Sequence, residues 1–425
     1  MKRSTARWIL LLLTAINFVN YMDRFVIAGM YDALHSEFGI SNAEFGLLTT
    51  ITFGLHAATT IPFGWLADRW NRRWLVFGAV VSWSVATILC AVVKDFWMLA
   101  ALRGFVGLAE AAYGPVSIVI LCEIFPEEKK AQTIGIYNVG MFLGTGVGLA
   151  MGASLSRHLA FIVVGAPGLA LGALALIMPV SATRVVQDTR STSLREKAHL
   201  FWSQLTHLMS LRTLRWMLVG GVLVSFSAGG YITFVQTFVA RFKPGFTAQS
   251  TGMTLGIVSL IAGASGLLVG GMLADRLQKK YAYGRLLAVA LGFLICTPFG
   301  IGTVYLDDKL PFLISAFFLI FFMVWYNGPI SAVIDDCVDP KEAASAQAAF
   351  NFVIHLLGTA PAGIAIGAAA DASPAGSRVA FVLPTIAALA GVAFFFVGCR
   401  HVRRDMDERN RRVEEERAAG LLPAA

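Results

Sequence analysis

Apolar runs of about 20 residues, the length that carries a helix across a bilayer, recur along this 425-residue chain. They lie near 8–30, 43–66, 74–93, 97–120, 132–155 and 159–180, and again near 214–240, 250–274, 284–305, 311–334, 344–369 and 377–399. Twelve such runs take up about 240 residues, which leaves little for a soluble catalytic domain. Only 14% of the residues are charged and 57% are hydrophobic, far from the roughly 25% charged of a soluble protein. The expected fold is therefore an all-α membrane protein with twelve transmembrane helices. The first run follows Lys2, Arg3 and Arg7, but it is too long for the apolar core of a signal peptide and reads as a membrane helix.

The net charge of +8 is accounted for by topology. With both termini on one side, the connections on that side hold most of the 34 Lys+Arg, and the positive-inside rule makes that side cytoplasmic. Nucleic-acid binding is thereby excluded as the meaning of the basic excess. The five cysteines, Cys90, Cys122, Cys296, Cys337 and Cys399, are odd in number and free of CxxC spacing. They argue against a disulfide framework or a zinc site. The expectation is an integral protein of a bacterial inner membrane, monomeric, with cytoplasmic termini and with neither cofactor nor metal.

The chain repeats itself. After the second run it reads Gly64-Trp-Leu-Ala-Asp-Arg-Trp-Asn-Arg-Arg73, and after the eighth Gly271-Met-Leu-Ala-Asp-Arg-Leu-Gln-Lys-Lys280. Such a repeat predicts two six-helix pseudo-repeats, 1–180 and 214–399, as in parallel-repeat secondary transporters. The segment 181–213 mixes basic residues with Leu194, Leu200, Phe201, Leu205 and Leu208, which suits an amphipathic linker helix at the cytoplasmic surface. The Arg- and Glu-rich tail, 400–425, has spacings that suit pairing along an exposed helix and reads as a solvated, partly ordered end. Within the repeated turns Gly64, Asp68, Arg69, Arg72, Arg73, Gly271, Asp275 and Arg276 are expected to form a conformational gate, because a carboxylate at a tight turn can hold a helix N-terminus and arginines in one state and release them in another.

Ionisable groups inside a membrane span cost about 2.5–3.5 kcal/mol on insertion scales, so each is a functional candidate. In the first run Asn17, Asn20, Asp23 and Arg24 fall within one arc of about 120° at helical spacing, a polar stripe that must meet a water-filled cavity or other polar helices; the alternative is that Asp23 and Arg24 reach the outer interface. In the fourth run Arg103 and Glu110 share a face with Gly107, Gly114 and Ser117, and Tyr113 lies at its edge. Seven residues, about 10.5 Å of rise, keep Arg103 and Glu110 from pairing head to head. Burial favours a protonated Glu110 and a nearby arginine favours an ionised one, a balance that suits proton coupling; the alternative is a structural ion pair between helices. In the eleventh run Gln347, Asn351, His355 and Gly358 share a face, and Gly358, Pro361 and Gly363 mark a place where the helix can bend. His355 reads either as a substrate contact or as an interhelical hydrogen-bonder. Gly140, Gly144, Gly148 and Gly152 form a packing ladder.

These residues resemble a known family. Gly64–Arg73 and its copy at Gly271 are similar to the loop signature of the major facilitator superfamily across essentially the whole chain. Asn20-Tyr-Met-Asp-Arg-Phe-Val-Ile-Ala-Gly29, Arg103-Gly-Phe-Val-Gly-Leu-Ala-Glu-Ala-Ala-Tyr113 and His355–Gly367 resemble the first, fourth and eleventh helices of the Spinster family, with Thr359 where that family usually carries Asp. The resemblance implies a transporter of lysophospholipids or sphingoid phosphates, with Asp23 and Glu110 as the proton-coupling carboxylates and Arg103 beside the substrate headgroup. Asn20, Arg24, Tyr113, Asn351 and His355 are the accompanying candidate substrate contacts. The Asn-Tyr-x-Asp-Arg opening is similar as well to proton-coupled symporters of sugar acids and other small organic anions, the alternative substrate class.

Other function classes lack their signatures. His-Glu-x-x-His and Gly-x-Ser-x-Gly are absent from the sequence, so an intramembrane enzyme has no nucleophile or metal motif to use. Neither a selectivity-filter sequence nor a seven-span count appears, and without a Gly-x-x-x-x-Gly-Lys loop the energy source is an ion gradient or the substrate's own.

Overall fold

A computed structural model of the chain describes residues 3–67, 70–180, 202–203, 205–206, 208–339, 342–372 and 377–418. The first half runs through spans one to six: Arg3–Val26, Asn42–Ala67, Arg72–Leu89, Phe96–Glu110 continued by Tyr113–Ile124, Glu127–Ser154 and Arg157–Leu176. The second half follows with spans seven to twelve: Arg212–Phe242, Ala248–Lys280, Gly284–Tyr305, Lys309–Met323 continued by Asn327–Cys337, Ala343–Ile354 continued by Ala360–Ala372, and Leu383–Cys399. Among the described residues ten of these are long and apolar enough to cross a membrane, and an eleventh is Leu383–Cys399 taken with the bent helix after it. The second span is just as long, but Thr49, Thr50, Thr52, Thr59, Thr60 and His56 make it more polar.

Among the described residues the fourth, tenth and eleventh spans are broken, each just before a proline. Pro115, Pro329 and Pro361 cannot donate to the carbonyl four residues earlier and push against it. The breaks are a turn at Ala111–Ala112, a 3₁₀ turn at Val324–Tyr326 and a π-turn at His355–Thr359. The first leaves Glu110 as the last residue of its helix, and the third lies in the stretch where the sequence predicts a bend.

The glycine ladder of the fifth span packs on the first. A methyl group on Gly140, Gly144, Gly148 or Gly152 would strike the backbone carbonyls of Thr14, Phe18, Met22 and Val26 in turn. Matching four-residue steps on both helices thus bring the backbones together and hold the polar stripe of the first span against the interior.

The backbones of the two halves approach closely where the second and eighth spans begin and the fifth and eleventh end. Gly46 backs onto Gly363, Gly367 onto Asn42, and Gly146 onto Gly256. There Asp371 of the eleventh span caps the second span, accepting from the Asn42 and Ala43 backbone N–H at 3.1 and 2.8 Å and from Asn42 Nδ2 at 2.6 Å. Arg241 reaches Asp32 at 3.4 Å beside them.

Most of the expected linker lies outside the described residues; its described residues 202–203, 205–206, 208–210 and 212–213 are helical, with Leu208 and Leu211 buried. Val402–Ala418 is a helix, and buried Asp405 accepts from the Thr213 backbone N–H at 2.8 Å, which ties it to the start of the seventh span.

Candidate substrate and coupling site

Two arginine–carboxylate pairs stack in the interior of the first half. Arg103 Nη1 donates to Asp23 Oδ1 at 2.8 Å, and Thr87 Oγ1 donates to Asp23 Oδ2 at 2.5 Å. Next along the first span, Arg24 Nε donates to Glu110 Oε2 at 2.6 Å. Arg103 and Glu110 therefore do not pair with each other, as their axial separation requires, and each takes its partner from the first span. The neighbours Asp23 and Arg24 diverge around that helix to serve two different residues of the fourth.

The two pairs differ in access. Arg103 and Asp23 are each 1% exposed, whereas Arg24 is 14% exposed against 1% for Glu110. In this conformation Asp23 encloses Arg103, and Arg24 is the cation at the boundary. The reading in which Asp23 and Arg24 reach an outer interface does not describe this geometry, because Asp23 is fully enclosed.

Hydrogen-bonding capacity remains in the cluster. Arg103 Nε, Glu110 Oε1 and Asn20 Nδ2 are buried without a partner among the described residues. In an apolar interior such atoms mark where a polar ligand, water or a proton is accommodated. Asn17 Nδ2 donates to the Tyr137 carbonyl at 3.0 Å. Tyr113 is fully buried and donates to the Leu13 carbonyl at 2.6 Å, so it braces the fourth span against the first rather than facing the boundary.

Two histidines complete the picture. His56 of the second span has Nδ1 3.2 Å from Arg24 Nη2. Sequence reading passed over it; its signal was one imidazole in the middle of a span whose one other ionisable residue, Glu44, lies in its first turn. His355 of the second half interacts electrostatically with Arg24 and His56 and lies 3.1 Å from Thr359 Oγ1, across the π-turn. His355 and Asn351, one turn earlier, are exposed.

Asp68 and Arg69 lie outside the described residues, and Gly64 is in the last turn of the second span. Arg72 pairs with Glu123, joining the start of the third span to the end of the fourth, and Asn71 caps the third span through Arg73 N at 3.2 Å. The second half repeats the tie: Arg285 pairs with Asp336 at 2.5 Å and with Asp275 at 3.6 Å. Gly271 lies within the eighth span, and Arg276 is exposed beside Asp275.

The model of the Major Facilitator Superfamily matches residues 13–363. The protein spinster of Drosophila melanogaster is 26% identical over 399 positions, covering 89% of this chain, and the chain spans 65% of that relative's length. Protein spinster homolog 1 of Xenopus laevis is 26% identical over 98% of this chain and 84% of its own. Among solved structures, a bacterial homologue of the human lysosomal transporter Spinster, inward-facing and unoccupied, superposes with a TM-score of 0.81 at 21% identity, over 95% of this chain and 99% of that one. A nucleoside transporter shares the fold more distantly, with a TM-score of 0.76 at 14% identity over 92% and 99% of the two chains. The chain thus belongs to the major facilitator superfamily, as a Spinster-like membrane transporter and not an enzyme.

Proposed function

We propose that this protein carries an amphiphilic anion, of the lysophospholipid or sphingoid-phosphate class, by proton-linked alternating access. Units 1–180 and 214–399 rock about the central boundary, with 181–213 as the linker and 400–425 on the cytoplasmic side. The termini and the Arg72–Glu123 and Arg285–Asp336 ties then face the cytoplasm of a bacterial inner membrane, and the end closed by Asp371 faces outward.

The observation that carries the proposal is the sharing of Arg24. Its guanidinium is held by buried Glu110 at 2.6 Å and is the more accessible cation of the cluster. An anionic headgroup must compete with Glu110 for it, and a proton on Glu110 removes the competitor. Proton and anion then favour each other's binding, as linkage requires of two ligands with a common group. Arg103 and Asp23 lie behind as the second pair, with Asn20 beside them and Asn351 and His355 opposite.

Uptake of labelled oleoyl-lysophosphatidate into proteoliposomes, driven by an imposed proton gradient, tests the proposal. Saturable uptake that collapses with a protonophore supports it. Uptake of glucuronate in place of the lysolipid redirects it to the small organic anions, and uptake indifferent to the gradient refutes the coupling.

A further inference from the structure

We infer that His56 is a positioning residue for Arg24: the imidazole holds the guanidinium turned toward the boundary between the halves while Glu110 holds its inner edge. The inference rests on the reading of Arg24 as the substrate-facing cation and adds to it the residue that sets its direction.

The geometry is that of a side chain held from two sides. Arg24 Nε is committed to Glu110 Oε2 at 2.6 Å, and Nη2 meets the His56 ring, 3.2 Å from Nδ1 and 3.5 Å from Nε2. Tyr21 adds a third surface, its ring centroid 5.3 Å from the guanidinium carbon. These contacts come from the first, second and fourth spans, so only one edge of the guanidinium faces elsewhere.

The chemistry assigns the imidazole a protonation state. Arginine has donors only, so a ring nitrogen that meets Nη2 must present its lone pair. The Gly107 backbone of the fourth span lies by the ring, where its carbonyl can take the ring's single N–H. A neutral imidazole satisfies both neighbours at once, whereas an imidazolium has no lone pair to offer and would oppose a second cation. The charged and titratable groups around the ring are Arg24 from the first span, Glu110 behind it on the fourth, and His355 from the eleventh.

Position explains why this residue suits the task. Gly54, two residues earlier, approaches Ala360 at the end of the π-turn, so this part of the second span borders the opposite half. A side chain holding Arg24 from there moves with the boundary. Without His56, Arg24 keeps Glu110 but loses its lateral stop, and an anion must then fix the guanidinium itself at an entropic cost.

The test compares His56→Leu with His56→Gln, whose amide oxygen retains an acceptor. Guanidinium proton exchange at Arg24 is read by NMR of the 15N-arginine-labelled protein in nanodiscs, with the signal assigned by Arg24→Lys. His56→Leu is expected to speed Nη exchange several-fold and leave Nε protected, and His56→Gln to resemble wild type. In the lysophosphatidate assay His56→Leu is expected to raise KM about fivefold, the loss of one ordinary hydrogen bond, with kcat within a factor of two, and His56→Gln to restore KM. Unchanged Nη exchange in a folded His56→Leu protein overturns the inference whatever the transport result. If wild type moves no lysophosphatidate, the substrate reading fails, and the exchange measurement still decides the role of His56.

Discussion

Arg103 and Asp23, eighty residues apart in sequence, meet at 2.8 Å with both side chains 1% exposed. Such a pair is held by mutual need more than by net attraction, because removing one partner leaves the other as an uncompensated buried charge. Asp23→Asn is therefore expected to destabilise the protein by about 3–5 kcal/mol, measured as a lower unfolding temperature in detergent. Replacing both partners, Asp23→Leu with Arg103→Met, is expected to recover most of that loss. A single substitution that leaves the unfolding temperature unchanged would refute the pair's structural weight.

Glu110→Gln keeps an acceptor for Arg24 and removes the titration. Folding is expected to be retained while gradient-driven uptake is lost, and counterflow exchange of substrate without a gradient is expected to persist. Full retention of gradient-driven uptake would remove Glu110 from the coupling.

The Asp371 cap is expected to act as a latch. The second span has its own capping box, with Ser41 Oγ accepting from Glu44 N at 3.1 Å and Glu44 Oε2 accepting from Ser41 N at 2.8 Å, so Asp371 is needed less for the helix than for the closed end. Asp371→Ala is expected to favour the state open at that end by about 1 kcal/mol, the usual worth of a cap, roughly a fivefold change in population. Spin-label distances between the ends of the second and eleventh spans would show it, and an unchanged distribution would contradict it.

One pH effect follows from the short helix Tyr31–Phe38 between the first and second spans. The two hydrogen bonds from Arg157, at 2.7 and 2.6 Å, hold the Glu37 carboxyl below its usual range. A depressed carboxylate value means that the stabilisation is present above the unfolded value of about 4.3 and is lost as pH falls through the folded one. Wild type is thus expected to lose thermal stability over that acid range, and Glu37→Gln to lose less. Because Glu37 is partly exposed, the difference is expected to be small, and a steeper acid loss in the variant would reverse the assignment.

Much of the architecture was legible because the bilayer imposes it. Apolar runs had to be helices, and charge inside them had to find partners. Asp23, Arg24, Arg103 and Glu110 stood out as an anomaly in the sequence, but their pairing did not, because spacing within one helix says nothing of which helix lies alongside. The same reasoning pointed to Tyr113 as a groove wall, whereas its hydroxyl is consumed by the Leu13 carbonyl. His56 was hidden for a different reason: an uncharged imidazole among threonines departs little from its surroundings until Arg24 is placed against it. The charged tail looked solvated, and its ties to the bundle, Asp405 to the Thr213 backbone and Arg409 to the Val338 carbonyl, lie beyond what composition can convey.

The central claim, that proton and anion bind cooperatively through Arg24, is tested most directly by measuring lysophosphatidate affinity of the purified protein at acid and neutral pH, in wild type and in Glu110→Gln. Wild type is expected to bind more tightly at acid pH, and Glu110→Gln to bind tightly at both. Wild-type affinity that is independent of pH, or weaker in acid, would contradict the account.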